Sequence, residues 1–372
     1  MQYLRSALNQ LAYQCSRLIP RSKGSWVFIG WHIGSDMEIL ADNTKYLFLH
    51  ISQHHKDIRA VWLAKDRKLA ALLCSRGYRS YYQYSPQGIW AALRAGTTVI
   101  DAFFQPENFR WSGGTRLVQL LHGRGMKKKG YNVPPPRAHD DIFCPSPFIE
   151  GLLAPVFIQD AHIYHTGYAR NDVLFRSIAG SDISVDERLR QKLEAARASG
   201  KRCILYAPTF RRGEKVFGLA SKFDLEKIDT RLAPMNAHLS ISLHPKYRDQ
   251  AREGEYANIS FVEDSDIYPL LSSFDLFISD YSSLIYDYLL LDRPIVFFPY
   301  DLEEYSAGEG LAFPYETYTP GPKAYDADTL LELVDKTLEH EEYAAERKRV
   351  RETYFVHADG NSCERITAQL LQ

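Results

Sequence analysis

Residues 276–301, LFISDYSSLIYDYLLLDRPIVFFPYD, decide the fold. The apolar run 276–278 has the length and composition of a buried strand, and it stops at the polar cluster Ser279-Asp280-Tyr281-Ser282-Ser283. Asp280 or Ser282 caps the amphipathic helix that follows over 284–291. Asp292-Arg293-Pro294 closes that helix, and Pro294 leads into a second strand over 295–298. The result is a strand-helix-strand unit, the repeating element of a parallel sheet. In such units the carboxyl end of the strand and the amino end of the helix form a crevice whose backbone N–H groups and helix dipole attract anions. Ser282 and Ser283 add two hydroxyl donors there. Capping alone explains most clusters of this kind, so the phosphate-site reading rests on the rest of the chain.

With 372 residues the chain has room for two domains, and 45 basic against 46 acidic side chains give no electrostatic footprint of a nucleic-acid binder. The five cysteines, at 15, 74, 144, 203 and 363, form no C-x-x-C pair, which suits a reducing, cytosolic compartment. No apolar run reaches the ~20 residues that cross a bilayer, and the amino terminus lacks a signal-peptide core.

Residues 1–23 place Leu4, Leu8, Leu11, Cys15 and Leu18 at helical spacing, with Arg5, Arg17, Arg21 and Lys23 among or after them and no acidic residue. That helix suits an anionic membrane surface and equally suits packing against the protein itself. Strands are expected over 26–34, 58–64, 97–104 and 115–121, separated by helices over 36–50, with an interruption at Asp42-Asn43, and near 67–75 and 86–94. This alternation predicts a parallel sheet covered by helices.

The strand 115–121 ends in His122-Gly123-Arg124-Gly125-Met126-Lys127-Lys128-Lys129. An imidazole at the carboxyl end of a core strand stands where open α/β sheets hold ligands, and it titrates near neutrality as a general base must. Before context a solvated loop is the favoured account of the lysines and a hydrogen-bonded structural role that of a lone histidine, and no Walker A spacing is present. Further strands at 141–144 and 162–166 lead to Thr166-Gly167-Tyr168-Ala169-Arg170-Asn171-Asp172, the expected end of the first domain.

In the second domain the strand 203–206 delivers Thr209 and Arg211, the strand 239–243 delivers His244 and Lys246, and the strand 276–278 delivers Ser282 and Ser283, all to one edge of one sheet. Polar, phosphate-suited side chains gathered at strand ends mark a candidate site. Asp264-Ser265-Asp266 imitates a D-x-D metal motif but precedes a helix over 268–274 and is expected to cap it. No cluster has metal-ligand spacing, so neither metal nor cofactor is expected. The loop through Tyr305, Gly308, Gly310 and 319–322 is expected to lie over the crevice, with helices after it at 326–339, 341–351 and from 362.

Together these motifs resemble the CDP-glycerol glycerophosphotransferases of teichoic-acid synthesis. The resemblance rests on Gly34 with Asp42-Asn43, His122 to Lys127, Thr166 to Asp172, Tyr206 to Arg211, His244-Pro245-Lys246 and Ser279 to Ser283. It continues through Asp287, Asp301, Tyr305, Pro320-Gly321-Pro322 and Asp359-Gly360. It implies a GT-B-like fold: two Rossmann-like domains whose parallel sheets face a central cleft. The expected boundaries are 1–23 for the amphipathic helix, 24–172 for an acceptor domain, 173–350 for a CDP-alcohol domain and 351–372 for a C-terminal helix.

By the same resemblance His122 and His244 are the catalytic histidines. Gly123, Lys127, Thr209, Arg211, Lys246, Ser282 and Ser283 bind substrate, with Lys127 on the acceptor side, while Asp280 and Asp287 order the loop and helix of that site. The implied reaction is attack of an acceptor hydroxyl on the phosphorus bearing glycerol, with departure of CMP. The implied partners are CDP-glycerol and a lipid-linked or polymeric polyol-phosphate or glycan acceptor, at the inner face of the cell membrane. CDP-ribitol as donor, a nucleotide-sugar glycosyltransferase of the same fold, and a non-catalytic nucleotide- or glycan-binding protein are the alternatives. The chain departs from the family pattern at Leu121 and at Arg124-Gly125-Met126, which bears on acceptor recognition.

Overall fold

The computed structural model describes residues 2–30, 38–102, 109–128, 134–209, 211, 224–242, 256–263 and 265–372. The chain divides into two compact units. One comprises residues 1–122, 130–184 and 355–372; the other comprises 123–129 and 185–354.

The first unit is built on a seven-stranded, wholly parallel sheet of β1 (Ser22–Ile29), β2 (Arg59–Ala64), β3 (Ser80–Tyr82), β4 (Ala95–Ile100), β5 (Arg116–Gln119), β6 (Asp141–Cys144) and β7 (His162–His165). Their spatial order is β3-β2-β1-β4-β5-β6-β7, so the chain reverses its direction of winding between β1 and β4. The central strands bury apolar runs, WVFI of β1 and AVWLA of β2, as a parallel sheet covered by helices requires, whereas the edge strand β7 is partly exposed. Val27, Ile29, Val61, Leu63, Ile100 and Leu117 are buried in one such layer, beneath the helix Pro86–Arg94. That helix starts where the sequence dictates: Ser85 accepts from the Gly88 N–H at 3.0 Å, and Pro86 occupies the first turn.

The second unit carries a five-stranded parallel sheet of β8 (Arg202–Tyr206), β9 (Ala237–Ser242), β10 (Ile259–Val262), β11 (Leu276–Ser279) and β12 (Ile295–Phe297), in the order β10-β9-β8-β11-β12. Its winding reverses between β8 and β11. Ile204, Ile241, Ile278 and Val296 pack with Leu330, Leu331 and Val334 of the helix Ala327–Glu339. Asp186 fastens the unit's first helix, Glu187–Ala198, to the sheet. One of its carboxylate oxygens accepts from Leu189 N–H at 2.9 Å and the other from Glu263 N–H at 3.0 Å, just past β10.

Several elements differ from the sequence reading. The helix expected over 36–50 runs from Asp42 to His54, starting at the expected interruption, where Asp42 takes a left-handed φ of 66°. The strand expected over 97–104 ends at Ile100, where Asp101 turns out of the ladder to accept from the Thr44 N–H. β3 and β10 were not anticipated, because the buried Ser80 and Ser260 leave Ser80–Tyr82 and Ile259–Val262 without a continuous apolar run. β10 also separates β9 from β11 in the chain, so the three strand ends of the second unit are not consecutive.

The helix Ser362–Leu370 belongs to the first unit. The buried carboxylate of Asp172 accepts from the N–H groups of Ser362 and Cys363 at 2.8 and 2.9 Å, capping that helix from 190 residues away.

Candidate functional site

In open parallel sheets ligands bind outside the carboxyl ends of the strands where the winding reverses. In the second unit that point lies between β8 and β11, and the loops leaving these two strands are bound into one frame. Asp280, completely buried, accepts at Oδ1 from Thr209 N–H (2.8 Å), Thr209 Oγ1 (2.7 Å) and Tyr281 N–H (2.6 Å), and at Oδ2 from Arg211 Nη1 (2.6 Å). Arg211 donates Nε and Nη2 in a fork to Asp301 at 2.8 and 2.9 Å, and Nη1 also to the Thr209 carbonyl. The Tyr281 hydroxyl donates to Asp301 at 3.0 Å, and the Tyr281 ring stacks on Tyr305 at 3.8 Å. The guanidinium faces the rings of Tyr281, Tyr300 and Tyr305 at 5.1 to 5.4 Å.

Burial works against the Arg211 charge, but Asp280 and Asp301 outweigh it and hold the guanidinium's pKa above its ordinary value. Burial, with the charges of Asp301 and Asp280, also raises the Tyr281 phenol well above its usual range. Among the described residues the cluster carries one positive and two negative charges. Arg211 therefore ties the two loops together with the donors that would otherwise face a ligand.

This frame sets the position of the serines. Ser282 Oγ accepts from the Leu284 N–H at 3.3 Å, at the start of the helix Leu284–Tyr288. Ser283 is the residue that precedes the helix, and its hydroxyl makes no capping hydrogen bond. Both serines are half-buried. Asp287 is buried within the helix and accepts from the Tyr268 hydroxyl at 2.6 Å, an ordering role. Asp266 accepts from the Tyr268 N–H at 3.1 Å, but the residue preceding the short helix Tyr268–Ser273 is Ile267, which makes no side-chain cap; Asp264 lies outside the described residues.

The segment after His122 packs within this same unit. Gly123 is buried with φ 98°, a conformation that favours glycine. A Cβ on Gly125 would stand 3.0 Å from the Ser283 nitrogen, so the backbone lies directly against the serine turn. Met126 and Lys128 exchange hydrogen bonds with Ala312 and Gly310 at 2.7 and 3.0 Å, and the Tyr354 hydroxyl donates to the Arg124 carbonyl. Lys127 pairs with Glu309 at 2.7 Å. Lys127 thus belongs to the second unit. The 309–312 loop, expected to lie over the crevice, forms a short antiparallel bridge with it.

In the first unit the winding reverses between β1 and β4, and β5 lies next to β4. Here Asp42, Asn43, Thr44, Asp101, His122 and Arg170 come together. Asn43 Nδ2 donates to the Leu121 carbonyl at 2.7 Å, and Arg170 Nη1 donates to the His122 carbonyl at 2.7 Å and to Asp42 at 2.6 Å. Asp101, completely buried, accepts from Thr44 N–H at Oδ2, while its Oδ1 has no hydrogen-bond partner among the described residues. Burial, reinforced by the charge of Asp42, pushes the Asp101 carboxyl well above the carboxylate range.

His122 is half-buried at the exit of β5. His244 and Lys246 lie outside the described residues. Of the expected site residues, the second unit brings together Thr209, Arg211, Asp280, Ser282 and Ser283 at one reversal point. Asp101 escaped the sequence reading because it fell inside an expected strand. Tyr281 and Tyr305 stood among the residues of the resemblance, but their stacking and their contact with Arg211 were not anticipated. Among the described residues no three His, Cys, Asp or Glu side chains gather as metal ligands, and no helix is long and apolar enough to cross a membrane.

Comparison with known proteins matches this arrangement to one family. The model for CDP-glycerol:poly(glycerophosphate) glycerophosphotransferase matches residues 31–372. The teichoic acid ribitol-phosphate primase of Bacillus spizizenii is 30% identical over 279 residues, which cover 68% of each chain. The ribitol-phosphate polymerase TarL of Staphylococcus aureus is 31% identical over 221 residues, 57% of this chain and 38% of the relative. The teichoic acid glycerol-phosphate transferase of S. aureus is 26% identical over 369 residues, covering 88% of each. The matched region thus spans well under half of the polymerase and about two thirds of the primase. Among solved structures, the wall teichoic acid polymerase TagF superposes with a TM-score of 0.76 at 19% identity, over 99% of this chain and 93% of that one. A putative UDP-N-acetylglucosamine 2-epimerase from Listeria monocytogenes follows at 0.58 and 16%, covering 93% and 95%. The fold is GT-B-like, and the chain belongs to the CDP-glycerol:poly(glycerophosphate) glycerophosphotransferase family.

Proposed function

We propose that this chain transfers glycerol phosphate from CDP-glycerol to a hydroxyl of a lipid-linked or polymeric glycan or teichoic-acid-like acceptor, releasing CMP. The observation that carries this reading is the frame at the β8–β11 reversal. It presents two half-buried serines at a helix start, backed by the Gly125 backbone and fixed by Asp280, Arg211 and Asp301. Such a site suits a pyrophosphate, whose oxygens take hydroxyl and backbone N–H donors. Lys246 supplies positive charge, and Arg211 acts by holding the loops that carry Thr209 and the serines. Family membership and the CDPG-soaked structure of a histidine variant of TagF support the donor.

In the reaction, the acceptor oxygen forms a bond to the phosphorus bearing glycerol as the bond from that phosphorus to the CMP oxygen breaks. The acceptor hydroxyl proton passes to His122. His244 stabilises or protonates the departing phosphate. The work is positioning and charge neutralisation, as phosphoryl transfer requires. The enzyme works at the cytoplasmic face of the membrane, docked through the exposed Leu8, Leu11 and Leu18 of its first helix and following turn.

A CDP-ribitol donor is the second reading, favoured by the ribitol-phosphate names among the relatives. The test is CMP release from CDP-glycerol and from CDP-ribitol, with a glycerol-phosphate-primed lipid acceptor, by the unmodified chain, His122→Ala and His244→Ala. CMP from CDP-glycerol, lost in both variants, is the expected result. CMP from CDP-ribitol alone moves the assignment to ribitol. Failure to bind either donor overturns both readings.

A further inference from the structure

The sequence 166–172 stands out as a motif, yet the reaction above gives it no task. Its arginine reaches the backbone of a proposed catalytic residue. We propose that Arg170, seated on Asp42 and Asn43, is a positioning residue that fixes the direction in which His122 leaves the sheet; this rests on the reading of His122 as the base.

The geometry is over-determined at one point. Leu121, immediately before His122, has φ 59°, a left-handed conformation that is a genuine outlier for a bulky side chain. Such a conformation persists only where its surroundings hold it. Here they do. The N–H of Leu120 binds the Ile100 carbonyl at 2.7 Å, and that of Leu121 binds Gln119 Oε1 at 2.9 Å. The Leu121 carbonyl accepts from Asn43 Nδ2 at 2.7 Å, and the His122 carbonyl accepts from Arg170 Nη1 at 2.7 Å.

The two clasping side chains are themselves coupled. Asn43 Oδ1 accepts the backbone N–H of Arg170 at 3.0 Å, and Arg170 Nη1 is held on Asp42 at 2.6 Å. Arg170 is 2% exposed and faces the ring of Tyr168 at 4.8 Å, so its guanidinium is buried against protein. The strain turns the chain so that His122 stands half-buried, and the Arg170 hydrogen bond falls on the carbonyl of His122 itself. A proton acceptor must be held to within about half an ångström, and a side chain is held no better than its own backbone.

The experiment uses the full chain with 13C-labelled histidine. The His122 ring signal is assigned by its loss in His122→Ala and then followed through a pH titration. Arg170→Met is expected to displace the His122 signal and change its titration midpoint, while the signals of most of the other eleven histidines stay in place. With whichever CDP-polyol is turned over, kcat falls 10- to 100-fold and the donor KM stays within twofold. Arg170→Lys, which keeps a cation beside Asp42, restores at least a tenth of the lost rate. An unmoved His122 signal in folded Arg170→Met, or a kcat within twofold of the unmodified enzyme, overturns the proposal. If His122→Ala retains full activity, the reading of His122 as base fails, while the His122 signal still decides whether Arg170 positions it. Should Arg170→Met not fold, Asn43→Ser withdraws both the hydrogen bond to Leu121 and the acceptor of the Arg170 N–H, loosening the seat of Arg170 while leaving its ion pair with Asp42; a displaced His122 signal with reduced kcat then supports the proposal, and an unmoved signal or unchanged kcat overturns it.

Discussion

Replacing Arg211 by methionine removes the positive charge that pairs with both Asp280 and Asp301 and leaves the volume nearly filled. Asp280 has no exposed side-chain surface and Asp301 has 12%, so neither recovers much hydration. Breaking a buried ion pair by removing one partner costs about 3–5 kcal/mol. Asp280 keeps three donors, from Thr209 and Tyr281, and Asp301 keeps the Tyr281 hydroxyl, which places the cost near 3 kcal/mol; lost contact with three tyrosine rings adds about 1 kcal/mol. Asp280→Asn leaves Arg211 its fork with Asp301 and costs about 2 kcal/mol. The double variant no longer strands a charge, so its cost falls short of the sum by about 2 kcal/mol. Urea unfolding measures all three. The five tryptophans, at 26, 31, 62, 90 and 111, belong to the first unit and provide an internal reference, while far-UV circular dichroism follows both units. For a slope of about 2 kcal/mol per molar urea, Arg211→Met moves the dichroism midpoint of the second unit down by about 2 M. A shift under 0.3 M, or strict additivity in the double variant, refutes the account of Arg211 as the tie between the two loops.

Two further predictions concern the first unit. Asp101 has its folded pKa raised above the unfolded value, so its contribution to stability is fully present at acid pH and is lost as pH rises through the folded value. Asp101→Asn cannot ionise; its stability relative to the unmodified chain should therefore increase between pH 5 and 8, by up to about 1.4 kcal/mol per pH unit, and a gap that stays constant in tryptophan-monitored urea unfolding contradicts this. Leu8, Leu11 and Leu18 are 57, 62 and 82% exposed, whereas Tyr13 stacks on Phe109 and Ser16 binds the Gly113 N–H. Changing the three leucines to serine therefore spares the fold and should weaken co-sedimentation with anionic vesicles at least tenfold; undiminished binding removes this helix from the membrane contact.

The parallel sheets were legible because their strands are apolar runs bounded by turn residues, as at Asp141–Cys144, where the expected and observed limits coincide. The serine turn after β11 was legible for the same reason. The role of Arg211 was not, since two carboxylates far along the chain, Asp280 and Asp301, decide whether its donors face a ligand or the protein. Nor was the placement of 123–129, because its pairing with 309–312 depends on long-range contacts that leave no local period. Asp101 sits at the end of an apolar strand with nothing beside it to signal a polar cluster. Its neighbours Asp42 and Arg170 arrive from distant elements.

The first unit is interrupted in the chain by nearly all of the second, and its closing contact joins Asp172 to Ser362 and Cys363. During synthesis at about 5–20 residues per second, Asp172 therefore waits about 10–40 s for the partners that cap its carboxylate. Over that interval the unit made first stays unfinished, while residues 185–354 emerge as one stretch and close their own sheet. On this account the amino-terminal half should be the last to become native, and a chain stopped near residue 354 should yield a folded second unit joined to an aggregation-prone first one.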